Sequence, residues 1–311
     1  MTTAQQIDKT CIKLCFQIGT FLATGRLGKV TYGQYQARAV AIKHLSHFNF
    51  ELSDDYMKQI VNWARLDQVN VLKIEGLLTK SYPHLIVMEE AAYPLKAFFA
   101  HQSPKTEGTL ISAMRDCAQG LAYLHLNRII LRHLDADHVM VCPTPANELI
   151  FKLRPSSKFT LAPTEEQSAD QQLIENECDL VSIRLVAPEV LSSSRFTPES
   201  DIWSLGVLTW TILSNDEPLY WGLSDGQVLS AVRGGWRLPL PQSMICAKKE
   251  TLHAIMLQCW EARPQSRPRA KEVQFKFEQI LVTHQNSATD NQQAQHHHHD
   301  QQDEDIPGIP V

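Results

Sequence analysis

No two cysteines in this chain are spaced as C-x-x-C, no eighteen consecutive residues are apolar, and basic charge is not in excess. Each absence removes a class of function. The seven cysteines (Cys11, Cys15, Cys117, Cys142, Cys178, Cys246 and Cys259) are odd in number and scattered, which argues against a disulfide framework and for reduced thiols in a cytosolic compartment. Without a long apolar run nothing here is expected to span a membrane. The opening MTTAQQIDKTCIKLCF lacks the basic-then-apolar order of a secretory leader. A net charge of −5 gives nucleic acid or an anionic membrane no electrostatic hold. What remains is a 311-residue chain, 43% apolar and 20% charged, long enough to bury a sizeable core.

Three regions differ in pattern. Residues 16–91 are short β-type runs punctuated by glycine: AVAIKHL and HLIVMEE are compact and apolar, as buried strands are. Between them DDYMKQIVNWARL places Met57, Ile60, Val61, Ala64 and Leu66 at helical spacing. Residues 92–283 read as helical. TLISAMRDCAQGLAYLHL aligns Leu110, Met114, Cys117, Leu121 and Leu124 on one face, and SDIWSLGVLTWTIL is apolar nearly all round, as a central core helix would be. Residues 284–311 are rich in glutamine, histidine and acid without periodicity, and are expected to be disordered. Residues 1–15 are left as an N-terminal extension.

The stretch ATGRLGKVTYGQYQARAVAIK resembles the glycine-rich loop and lysine strand of protein kinases. Ala23, Gly25, Gly28 and Val30 fall on G-x-G-x-x-G-x-V, and Val40 to Lys43 on V-A-I-K. Downstream, Ala187, Pro188 and Glu189 match A-P-E. SDIWSLGVL carries Asp201 at the position of the D-x-W-S-x-G helix, and CWEARPQSRP matches the C-W-x-x-x-P-x-x-R-P ending of tyrosine kinases and tyrosine-kinase-like proteins. The resemblance covers residues 16–283. It implies an α+β, bilobal fold with a small β-rich N-lobe (16–91), a larger helical C-lobe (92–283), and a buried Glu189–Arg267 pair bracing the latter.

Phosphoryl transfer depends on positioning and charge neutralisation, so the kinase positions can be tested singly. Lys43 is present. The helix glutamate that should hold it is Gln59, which can accept a hydrogen bond from the lysine but offers no countercharge. In LRHLDADHVMV, laid on H-R-D-L-x-x-x-N, leucine replaces the histidine, His133 the catalytic aspartate and His138 the metal-binding asparagine. Asp135 and Asp137 sit at positions without a catalytic role in the family. The D-F-G triplet falls on Pro155, Ser156 and Ser157. Magnesium wants hard oxygen ligands, and proline supplies neither a side-chain ligand nor a backbone donor. Losing a metal clamp removes several kcal/mol of transition-state stabilisation, at about tenfold in rate per ~1.4 kcal/mol. Ser156 also breaks the hydrophobic column that would join Trp63 and Leu131, so the usual active-to-inactive switch is expected to be absent.

The resemblance further implies that Val30, Ala41 and Met140 would sandwich an adenine ring, with Met88 gating the back pocket and Glu89 to Ala91 as the hinge. Two readings stay open: metal-independent ATP binding, with no cofactor required, or simple packing of the interlobe core. A zinc site from His133, His138 and Cys142 matches no established spacing, and the kinase alignment accounts for all three; no metal is expected. No tyrosine lies between Pro155 and Ala187, which excludes activation through a loop tyrosine. The expected protein is therefore a tyrosine-kinase-like pseudokinase: a cytoplasmic signalling scaffold or allosteric regulator that meets other signalling proteins, an active kinase among them. Its loop is also similar to that of integrin-linked pseudokinases, and it could equally be the intracellular part of a receptor. The alternative is a residual or unconventional nucleotide-dependent transferase using Lys43 with His133 or a displaced aspartate.

Overall fold

The computed structural model describes residues 12–14, 21–25, 28–45, 54–78, 84–101, 106–155, 159–161, 182–193, 195–214, 217–241, 246 and 248–303. Ser156, Ser157, Thr164, Ser168, Cys11, Cys15 and Cys178 lie outside these residues.

The N-lobe is one six-stranded antiparallel sheet built from β1 (Ile12–Leu14), β2 (Phe21–Gly25), β3 (Gly28–Tyr35), β4 (Arg38–Leu45), β5 (Ile74–Leu78) and β6 (His84–Glu89). Its order is β1-β3-β4-β6-β5, with β2 also on β3. Residues Gln36 and Ala37 link β3 to β4 with φ of 51° and 63°, the positive values that a two-residue hairpin needs to match strand twist. The register sets Lys43 between Val30 and Ile86, and Ala41 between Tyr32 and Met88. Helix α1 (Asp54–Trp63) crosses this sheet and buries Ile60 and Trp63 completely.

The expected extension 1–15 needs correction, because Ile12 to Leu14 pair with Tyr35 to Gly33 on the edge of β3. Alternating Ile12 and Leu14 suit a strand, so the sheet starts before residue 16.

A three-stranded sheet of β7 (Tyr93–Pro94), β9 (Val139–Pro143) and β10 (Leu149–Leu153) lies at the lobe junction, and β8 (Ile129–Ile130) pairs with β11 (Thr160–Leu161). The junction is hydrogen-bonded as well as packed. Leu153 donates to the Asn70 carbonyl and Leu72 to the Leu153 carbonyl, each at 2.8 Å, while the buried Asn70 side chain donates to the Phe151 carbonyl at 3.0 Å. A Cβ at Gly120 would stand 2.6 Å from that same Asn70 carbonyl, so only glycine allows the long helix to come this close.

The C-lobe is organised on α5 (Pro198–Leu213), preceded by α2 (Leu95–His101), α3 (Glu107–Leu126) and the short α4 (Val190–Ser193). Thr197 and Ser200 form a capping box at the start of α5, with Pro198 just inside it. The all-round apolar pattern of α5 is explained by its place at the centre of the lobe, where nearly every side chain is buried. Then come α6 (Asp225–Arg233), α7 (Lys249–Cys259) and α8 (Ala270–Asp303), which packs along α3. The expected disorder from residue 284 is a second correction: α8 continues unbroken to Asp303. Glutamine and alanine are good helix formers and no glycine or proline interrupts them before Pro307, so an already nucleated helix propagates.

The Glu189–Arg267 brace is present. Arg267 donates from two guanidinium nitrogens to the two Glu189 oxygens at 2.6 and 2.8 Å, and to the Glu199 and Glu261 carbonyls at 3.0 Å each. Its charge also lies 5.1 Å from the Trp203 ring centroid. Arg267→Ala is expected to destabilise the fold by about 3–5 kcal/mol, because it strands a partly buried carboxylate and two carbonyls. Arg267→Lys should recover little, since lysine lacks the planar fork. Equilibrium denaturant unfolding measures both; a loss below about 1 kcal/mol for the alanine variant would show that the brace is dispensable.

Candidate functional site

The residues that the resemblance assigns to a nucleotide cleft lie on β3, β4, the hinge and β9. Val30, Met88 and Met140 are half-buried, and Ala41 and Ala91 are buried. Ala91 packs with Leu72 and Cys142, against which Met88 and Met140 also rest. Met88, Ala91 and Met140 thus come together, with Ala41 beside Met88 in the sheet, and these contacts equally serve as interlobe packing; no described contact joins Val30 to Met140. Ala23, Gly25 and Gly28 lie on the β2–β3 hairpin, where Gly25 pairs with Gly28. At the hinge, the Glu89 side chain is committed to the frame: it accepts from Lys152 Nζ at 2.6 Å and from the Lys73 amide at 2.7 Å. Residues far apart in sequence therefore close around the cleft's back edge.

Lys43 projects from β4 at the expected place. Burial, reinforced by the positive charge of Arg154, pulls its pKa from the ordinary 10.5 down to about 8. Neither Gln59, half-buried on α1, nor any carboxylate among the described residues makes a hydrogen bond or ion pair with it. The neutral amide was expected to be able to accept from Lys43; the two side chains do not meet in that way. Arg154 was not singled out from sequence. It immediately precedes Pro155, donates from its backbone to the His138 carbonyl at 3.0 Å, and from Nε to the Asp137 carbonyl at 2.9 Å. Burial presses against its charge, while Asp135 and Asp137 support it.

The β8–β9 loop is held from below. The Asp201 carboxylate, buried on α5, accepts from the backbone of Leu131 at 2.8 Å and of Arg132 at 2.9 Å, and lies 3.1 Å from His125 Nε2. These bonds fix Arg132 at φ 63°, a left-handed conformation that a non-glycine side chain adopts only when its surroundings enforce it. Arg132 then spreads over the Phe196 ring, 4.3 Å from its centroid. Leu131 and Leu134 are fully buried, so the loop's apolar positions anchor it and its polar positions face the cleft.

Asp135 is the centre of that polar face. Its Oδ2 lies 2.9 Å from His133 Nε2, and its Oδ1 lies 2.7 Å from His138 Nδ1 while accepting the Asp137 and His138 amides at 2.9 and 3.0 Å. Burial disfavours the Asp135 charge, but the hydrogen bonds from both histidines outweigh it and hold the carboxyl well below the usual range. For His138, burial prevails over the same pairing and lowers its pKa. The two rings lie 4.7 Å apart, tilted by 57°. The Asp135 carboxylate thus bridges the two imidazoles. Cys142 is not part of the group; it is buried on β9 and its thiol is pushed up to about 11, chiefly by desolvation.

The expected break in the hydrophobic column falls on Ser156, outside the described residues, but a contact close by in sequence is described. Phe159, fully buried, meets Trp63 edge-on at 5.1 Å between centroids, and Trp63 Nε1 donates to the Leu72 carbonyl at 3.0 Å. An aromatic side chain three residues beyond Ser156 thus joins α1 to the lower lobe. Within the run KFTL, Phe159 was the available signal: an aromatic residue beside a serine-rich triplet.

Comparison with known proteins agrees with this geometry. The profile of the family "Protein tyrosine and serine/threonine kinase" matches residues 16–277. Similar proteins include Ephrin type-B receptor 3 of Danio rerio, 31% identical over 289 residues, covering 89% of this chain and 54% of that protein. Ephrin type-A receptor 7 of Gallus gallus is 31% identical over 288 residues, covering 89% of this chain and 26% of that protein. The chain spans about half or less of the length of these relatives. No described helix is long and apolar enough to cross a membrane. With its two lobes, its lysine strand, its Asp201-anchored loop and its Glu189–Arg267 brace in place, the chain belongs to the protein tyrosine and serine/threonine kinase family.

Proposed function

We propose that this protein is a pseudokinase that signals through protein–protein contacts rather than phosphoryl transfer. The observation that carries the reading is the pairing of His133 and His138 with Asp135, which occupies both side chains standing at the base and metal-ligand positions. Pro155 removes the remaining metal carboxylate. With no carboxylate to recruit magnesium, no cofactor is needed, and any ATP in the cleft binds without metal against Lys43. The partners are other signalling proteins, including an active kinase that reads the kinase surface, in the cytoplasm. Because the similar proteins are named as receptors and extend well beyond this chain, the intracellular part of a receptor is the setting we favour. The competing reading is a nucleotide-dependent transferase, for which retained Lys43 is the favouring observation.

Phosphate incorporation by the full chain with Mg-ATP is expected to stay at background and to be the same in Lys43→Met. Incorporation that Lys43→Met abolishes would support the transferase instead. In a thermal-shift titration, any stabilisation by ATP should be indifferent to magnesium.

Lys43 also gives a stability prediction of definite sign. Folded Lys43 releases its proton near pH 8, whereas the unfolded chain holds it up to about 10.5. Below pH 8 both states are protonated and the whole burial penalty is present. Between pH 8 and 10.5 the unfolded state binds more protons, so this contribution to stability improves as pH rises. Lys43→Met should therefore stabilise the fold at pH 7, by on the order of 2–3 kcal/mol, and the gain should shrink toward pH 10. Denaturant unfolding at pH 7 and 9.5 measures it. A destabilised variant at pH 7 would mean that Lys43 has a compensating anion.

A further inference from the structure

His133, Asp135 and His138 occupy a single loop between β8 and β9, yet they bring two imidazoles and a carboxylate to one point. One ligand-type atom from each lies within 4.8 Å of the other two. The side chains are 18%, 21% and 16% exposed, so they are reachable from solvent without unfolding. We propose that these three residues form a binding site for a divalent transition-metal ion of the zinc class. The assignment concerns a different ion and donor set from the magnesium chemistry of kinases, and it does not depend on whether the protein transfers phosphate.

The donor set selects the ion. Two imidazole nitrogens and one carboxylate oxygen suit zinc and its neighbours, whereas magnesium and calcium want mainly oxygen. Zinc–ligand bonds of roughly 2.0–2.2 Å place tetrahedral donors a little over 3 Å apart; His133 Nε2 and Asp135 Oδ2 stand 2.9 Å apart, and the three donors, within 4.8 Å of one another, need to close only modestly. The nearby Arg154 charge opposes any cation here, zinc as much as magnesium, so the selection of the ion rests on the donor set.

The ligands are also held in advance. Asp135 Oδ1 is engaged by the Asp137 and His138 amides, which leaves Oδ2, shared only with His133, as the oxygen to bind metal. Arg154 pins the following backbone through the Asp137 and His138 carbonyls. An ionised carboxylate only accepts hydrogen bonds, so each ring carries its proton on the nitrogen facing Asp135. On metal binding that proton moves to the ring's other nitrogen and the freed lone pair bonds the ion, so a neutral imidazole stays neutral. Of the three ligands, Asp135 also borders a cavity of about 390 Å³ shared with Asp137, Lys96, Ser182, Arg184 and Thr211.

The test must separate this site from the run His296 to His299, which is itself able to take up metal. The full chain with those four histidines changed to serine is titrated with Co²⁺ by visible absorption, followed by displacement with Zn²⁺. The expected result is one equivalent bound, an intense tetrahedral-type band, and its loss on adding zinc. His133→Asn and His138→Asn keep an N–H donor for Asp135 and so preserve a loop whose only need is hydrogen bonding, but they remove the imidazole ligands. Each should weaken Co²⁺ binding about tenfold or more, with circular dichroism and melting unchanged. Absence of cobalt binding in the serine-substituted chain, or equal binding by the two asparagine variants, would overturn the assignment. If either variant unfolds, zinc protection of His133 and His138 from carbethoxylation in the serine-substituted chain decides instead: protection supports the site and equal labelling overturns it.

Discussion

The carboxylate of Asp201 is the constraint on which the lower half of the cleft depends. It sits fully buried on the central helix α5 and accepts two consecutive backbone amides from the loop above, those of Leu131 and Arg132. Charge-assisted bonds of this kind, in a buried setting, outweigh the strain of a left-handed arginine. The loop therefore keeps its shape whatever stands at the polar positions beyond it. That separation of frame from chemistry lets His133 and His138 occupy the positions of an aspartate and an asparagine without disturbing the lobe. It also makes the fold a poor guide to activity, because the parts that maintain the fold are not the parts on which phosphoryl transfer would depend.

The same division appears at the lobe junction. Whatever the chemistry at Lys43, Gln59 and Pro155, Asn70, Leu72 and Leu153 join the lobes through hydrogen bonds, and Glu89 meets Lys152. Phe159 against Trp63 keeps α1 seated on the lower lobe. Among the described residues the helix is positioned by packing and by an indole hydrogen bond, with no ion pair to Lys43. A position held by packing does not respond to what occupies the cleft as directly as one held by a charge.

Much of this was legible in the sequence, for physical reasons that differ by residue. The lysine strand, the A-P-E segment, the α5 pattern and Arg267 are readable because they are locally dense in apolar residues or fixed in spacing, and the structure places them as the resemblance implied. Asp135 was passed over because its role arises from its partners. An aspartate two residues from one histidine and three from another becomes a bridge only when the loop turns, and the turn is imposed by Asp201, 66 positions later in the sequence. Arg154 was missed for a similar reason: its carbonyl partners belong to the same folded loop. The elements that flank the domain carry only weak local signals. Ile12 to Leu14 become a strand only against β3, and the glutamine-rich tail of α8 is helical because the helix is already nucleated before it.

The charge arrangement follows from these placements. A kinase-like cleft that has lost its metal carboxylates and its helix glutamate would leave two cations, Lys43 and Arg154, facing one another. They are not equivalent. Arg154 is drawn toward the loop, bonded to the Asp137 carbonyl and supported by the charges of Asp135 and Asp137. The two aspartates that carry no catalytic role in the alignment thereby serve as its counter-ions. Lys43 has no such support among the described residues, so desolvation acts on it nearly in full and its proton is weakly held. Lys43 is thus a buried strand cation whose charge no described side chain balances. Any molecule that settles there gains most by bringing negative charge to Lys43 rather than to Arg154.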